Sequence, residues 1–103
     1  MARTIKTWAM KVKPGRIDDA MELFRETKKS TSGGEISLAY AESAGDFSGT
    51  FTLAAAYPSA AAAGEAEDKS TNTEAGQALW RKFNDADSPV EAIGAVTYTS
   101  VDL

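Results

Sequence analysis

The sequence predicts an α+β domain of ferredoxin-like type, with element order β-α-β-β-α-β around a four-stranded antiparallel sheet. Three observations lead there. Apolar residues recur at every second position in four stretches, and at helical spacing in the stretches between them. The two strand-to-helix junctions share their punctuation, Val12-Lys13-Pro14-Gly15 and Ala56-Tyr57-Pro58-Ser59. Finally, 103 residues, 43% hydrophobic and 25% charged, are the length and balance of one globular domain over 1–103.

Residues 4–13 form the first strand, with Trp8, Met10 and Val12 alternating against Thr7, Ala9 and Lys11. Pro14 has no ladder donor and Gly15 permits a sharp turn, so the strand ends there. Over 16–29 the period becomes helical, with Ile17, Ala20, Met21 and Phe24 on one face. Asp18 and Asp19 in its first turn, and Lys28 and Lys29 in its last, suit the helix dipole. Ser30-Thr31-Ser32-Gly33-Gly34 stops it.

Alternation returns over 35–42 and 49–57, across a turn at Ser43-Ala44-Gly45-Asp46, which reads as a hairpin. Ser59 is placed to cap an Ala-rich helix over 60–69, weakened by Gly64. After a break at Ser70-Thr71-Asn72-Thr73, Thr71 and Glu74 have capping-box spacing for a second helical segment over 74–86, with Leu79 and Phe83 on one side and Trp80 adjacent. Ser88-Pro89 ends it, and 92–101 is the last strand.

Several chemistries are excluded outright. The chain has no cysteine and no histidine. Disulfides, thiolate zinc, iron–sulfur ligation, histidine-ligated haem and Ser–His catalysis therefore have no residues to carry them. The net charge is −4, with +4 on residues 1–29 and −8 on 30–103, which suits no generic nucleic-acid binder. Gly33-Gly34 is not a phosphate loop, and the carboxylates lack metal-ligand spacing. Asn72 and Asn84 stand at helix ends, where capping and turn roles suit them. No run is apolar enough to span a membrane, and the N-terminus lacks a signal region, so the expected location is cytoplasmic.

The two faces of the expected sheet differ in size. One carries Trp8, Met10, Val12, Ile36, Leu38, Tyr40, Phe51, Leu53, Tyr57, Val96 and Tyr98, and should meet the helices. The other is Ala and Thr with little charge, a poor surface for water and a good one for a second sheet. A homodimer joined through this Ala/Thr face is expected.

With this order, the turn at Val12-Lys13-Pro14-Gly15 and the helix entry at Tyr57-Pro58-Ser59, the chain resembles the dimeric α+β barrel superfamily. Within it, antibiotic-biosynthesis-monooxygenase-like and NIPSNAP-like small proteins are nearest. The resemblance covers nearly the whole chain and implies a pocket between the sheet and the helices of each subunit. It implies cofactor-independent oxygenase or cyclase-like chemistry as one function. A non-catalytic dimeric binding or assembly module with a packed interior is the alternative. In haem-degrading relatives an Asn stands where this chain has Trp8, a Trp where it has Tyr57, and an iron-binding His near Glu67. Without any histidine, haem degradation by that scheme is not expected, and no cofactor or metal is.

The candidate pocket for a small apolar or aromatic ligand is then Trp8, Tyr40, Tyr57, Glu67, Trp80 and Tyr98, the aromatics supplying flat surface with polar tips. Glu67, if buried, would be a base. Each aromatic also has a plainer role as core at strand spacing, and Glu67 as an exposed carboxylate in Glu65-Ala66-Glu67-Asp68.

Overall fold

A computed structural model describes residues 3–31, 33–42 and 49–103. The elements are β1 (Thr4–Val12), α1 (Ile17–Ser30), β2 (Glu35–Tyr40), β3 (Phe51–Tyr57), α2 (Ala60–Asn72), α3 (Glu74–Asn84) and β4 (Val90–Thr99). The sheet is four-stranded and antiparallel, in the order β2-β3-β1-β4. This is the ferredoxin-like α+β arrangement, with the second helical stretch broken in two. The expected turn at Ser43-Ala44-Gly45-Asp46 lies outside the described residues.

Local chemistry explains the boundaries. Gly15 takes φ 74°, a left-handed turn that lets the chain leave β1 for α1. Lys13 N–H donates to the Pro89 carbonyl at 2.9 Å, fastening this turn to the start of β4. Ser59 Oγ accepts from Ala62 N–H at 3.1 Å and caps α2. The cap of α3 is Thr73, not the expected Thr71: Thr73 Oγ1 accepts from Gly76 N–H at 3.1 Å. The same hydroxyl donates to the Lys69 carbonyl, so one side chain closes α2 and opens α3. The backbone at Thr73 is extended, which an α-helical Thr71–Glu74 box would not allow. Gly76 lies against the Ser70 backbone, where a Cβ would overlap, so glycine permits the tight corner between the helices.

On α1 the buried residues are Ala20, Leu23 and Phe24. Ile17, expected on this face, is exposed at the first turn, and Leu23 takes its place inside. The main core joins these to Met10, Leu53 and Val90, with Leu79 and Phe83 of α3 packed on it. A second, smaller core of Ala55, Tyr57 and Ala63 sits under α2.

The register sorts the sheet into cross-strand rows, because paired residues point the same way. On the helix side the rows are Tyr57, Thr4 and Thr99; then Ile36, Ala55, Lys6 and Thr97; then Leu38, Leu53, Trp8 and Ala95; then Tyr40, Phe51, Met10 and Ala92. On the outer side they are Glu35, Ala56, Ile5 and Tyr98; Ser37, Ala54, Thr7 and Val96; Ala39, Thr52, Ala9 and Gly94; and, past a bulge, Lys11 and Glu91. Val96 and Tyr98 are thus on the outer face, not the helix side expected from their size. The β1–β4 register shifts between Ala9 and Met10, leaving Ile93 as the extra residue. Beyond that bulge, the helix side of β4 carries Ala95, Thr97 and Thr99.

Candidate functional site

The helix side of β1 was expected to be apolar, yet Lys6 stands on it, between Thr4 and Trp8. Its cross-strand neighbours, Ala55 and Thr97, are small. The Lys6 side chain is only 20% exposed, and its Nζ donates to Glu67 Oε2 of α2 at 2.7 Å. Lys6 holds the Glu67 carboxyl below the usual glutamate range, first by that hydrogen bond and then by charge. Glu67 is therefore not a buried base: it lies at the surface, with its charged form favoured. Lys6 was missed as a functional candidate, although the alternation Thr4, Lys6, Trp8, Met10, Val12 places one charge on an otherwise large apolar face.

Tyr57 lies one row from Lys6. It is 4% exposed and forms one core cluster with Ala55 and Ala63, against which Trp8 packs. Its ring lies so close over Gly34 that a Cβ there would come within 2.5 Å of Cε1. Burial pushes the phenol pKa up, with the nearby Lys6 charge opposing. The ring thus fills the interior and is not the wall of an open pocket.

The remaining candidates are dispersed. Trp8 is half-buried and packs against both cores, one position along the helix side of β1 from Lys6. Tyr40 is 53% exposed and stacks at a tilt on Phe51, with centroids 4.9 Å apart. Phe51 and Tyr57 are six residues apart on β3, about 20 Å at strand rise. Tyr40 and Tyr57 therefore do not share one small-molecule site. Trp80 is 54% exposed and belongs to neither core, since Leu79 and Phe83 supply the inward face of α3. Tyr98 stands on the outer face beside Ile5. The sequence set thus reduces on the helix side to Trp8, Tyr57 and Glu67, now centred on Lys6.

Next to this group the sheet is uncovered. Ala95, Thr97 and Thr99, on the helix side of β4, are all exposed. They make a shelf of small side chains alongside Lys6 and Trp8. Two other concavities lie elsewhere. One of about 350 Å³ opens at Arg3, Gly34, Glu35 and Pro58, and one of about 300 Å³ runs between α1 and α3 past Glu22, Glu26 and Lys82. Among the described residues no group of three or more His, Cys, Asp or Glu is placed to hold a metal, and no helix is long and apolar enough to cross a membrane.

No protein-family model matches the sequence, and no curated protein matches it. Solved structures do match in fold. A candidate antibiotic biosynthesis monooxygenase from Chloroflexus aurantiacus superposes with a TM-score of 0.63 at 13% identity, over 97% of this chain and 94% of that one. Another candidate antibiotic biosynthesis monooxygenase, from Deinococcus radiodurans, gives 0.66 at 9% identity, over 100% and 95%. A NIPSNAP-like domain protein from Burkholderia xenovorans gives 0.64 at 7% identity, over 98% and 85%. At such identities the likeness is one of fold, and this chain has the ferredoxin-like α+β fold shared by antibiotic-biosynthesis-monooxygenase-like and NIPSNAP-like proteins.

Proposed function

We propose that this protein is a homodimer, joined through the outer face of its sheet, that binds a small apolar or aromatic molecule between sheet and helices. The carrying observation is the exposed shelf Ala95, Thr97 and Thr99 beside Trp8, on the side of the sheet that carries the helices. A flat ring laid there would cover half-buried Trp8. The names of two fold neighbours, antibiotic biosynthesis monooxygenases, point to oxygenation as a reaction class, and the resemblance of the sequence adds that such a step, or a cyclase-like one, would run without a cofactor. The dimer is supported by the three outer rows that cross all four strands, in which Glu35 is the single charged residue among twelve positions, while the remaining charged pair, Lys11 and Glu91, lies at the end of the face beyond the bulge. Water gains little from Ile5, Val96 and Tyr98, whereas a second sheet would bury them.

A second reading has its own support. Tyr57 is tightly packed, as in a non-catalytic dimeric module with a filled interior. Fluorescence titration with the neutral aromatic N-phenylnaphthylamine separates the two. Micromolar binding that Trp8→Phe weakens supports the ligand site. The packed module predicts no binding. For the dimer, Ala54→Glu puts a charge in the middle outer row and should give a folded monomer by light scattering. A wild-type monomer at micromolar concentration would overturn the interface.

A further inference from the structure

Lys6 is poorly explained as a structural residue. Its row is Ile36, Ala55, Lys6 and Thr97, on the side of the sheet that faces the helices. An apolar side chain there would pack without the cost of removing an ammonium from water. The ion pair returns little, because the Glu67 side chain is 65% exposed and water screens the attraction. Nor does α2 depend on this pair for docking. Ala63 is buried against Ala55 and Tyr57, with Ala62 and Ala66 beside it.

The Lys6 side chain keeps 20% of its surface exposed, and its neighbours toward β4 are small. Ala55 and Thr97 flank it with short side chains, Thr97 and Thr99 are exposed, and Trp8 is the next residue on the same face, about 7 Å along the strand. Glu67 reaches Lys6 from a helix surface where its carboxylate can return to water.

We propose that Lys6 recognises an acidic oxygen of the ligand, which makes the ligand a planar aromatic anion (a carboxylate, enolate or phenolate) whose ring lies along Trp8 and whose oxygen takes the place of Glu67 on Lys6. The proposal rests on the ligand site described above and specifies its substrate class. Glu67 is the counter-ion of the empty site. A ligand anion competes well with it, because the same Lys6 hydrogen bond then forms in a place screened from water by the ring.

The test compares two probes with the same ring system, anilinonaphthalene sulfonate and neutral N-phenylnaphthylamine, titrated at pH 7 against wild type, Lys6→Met and Glu67→Gln. Lys6→Met should weaken the sulfonate probe about tenfold, the scale of one charge-assisted hydrogen bond, and leave the neutral probe within about twofold. Glu67→Gln removes the competitor and should tighten the sulfonate probe about threefold or more, with the neutral probe unchanged. A purely structural pair predicts no gain from Glu67→Gln, and that result overturns the proposal. So does a Lys6→Met loss shared equally by both probes. If Lys6→Met fails to fold by near-ultraviolet circular dichroism, the Glu67→Gln arm decides alone, since that position is exposed. Wild type that binds the neutral probe but gains nothing from the sulfonate refutes the anion and keeps the site. Wild type that binds neither refutes the site itself.

Discussion

β3 and β4 are the two neighbours of β1, and both alternate larger and smaller side chains, yet they live in different surroundings. The helix-side residues Leu53, Ala55 and Tyr57 of β3 are all buried. Their counterparts across β1, namely Ala95, Thr97 and Thr99 of β4, are all exposed. The two strands share a partner and a pleat, so strand character is not the cause. Position is. β3 lies inside the sheet, with Ala63 of α2 packed on Ala55 and Tyr57, whereas β4 is an edge strand, exposed from Glu91 to Thr99. The lesson is that alternation defines two faces without saying which is covered.

The comparison breaks most visibly at Tyr57. Tyr57→Ala should destabilise the fold by about 3–5 kcal/mol, as expected for emptying a large buried site. Thr97→Ala, on the same side of the sheet but on β4, should stay within about 0.5 kcal/mol. Urea denaturation of both variants checks this, and equal costs would erase the distinction between the strands.

Next in size is Gly34→Ala, which would push a methyl into the Tyr57 ring and should cost about 1–3 kcal/mol. Combined with Tyr57→Ala it should cost much less than the sum, because the clash is gone. Additive costs would mean that the β2 entry and Tyr57 are not in contact.

Alkaline pH probes the same packing. The Tyr57 phenol has a raised pKa through burial, so the fold prefers its protonated form. That preference is fully present below the ordinary tyrosine range. Stability should fall as pH rises from about 10 through the folded value, since the unfolded chain loses the proton first. Tyr57→Phe should flatten this fall in thermal melts across that window, and an unchanged slope would count against Tyr57 burial.

The smallest effect sharpens the cover itself. Gly64 lies within α2, and a Cβ there would meet nothing within 4 Å. Gly64→Ala should stabilise by about 0.5–1 kcal/mol through helix propensity alone. Calorimetry showing a loss would place hidden packing against that position.

Much of this molecule was readable from local chemistry. Period 2 against period 3.6, Pro14-Gly15, Pro58 and the Ser59 cap determined the element order, and that order is the fold. The exclusion of thiolate and imidazole chemistry needed only the absence of two residue types. The chain alone did not settle which cap opens α3, because Thr71 and Thr73 both offer a hydroxyl and only the corner at Gly76 selects between them. Nor did it settle the faces of β4. Size argued for Val96 and Tyr98 inside, but the bulge at Ile93 and the pairing with Ile5 and Thr7 turn them outward. The candidate site divides the same way. Trp8 and Tyr57 were readable as large residues facing the helices. The pairing of Lys6 with Glu67 across 61 positions of sequence, and the open shelf beside it, exist only once α2 is laid on β1. Periodicity is a property of neighbours along the chain. Burial and charge pairing belong to segments that meet in space, and only the tertiary structure decides which segments those are.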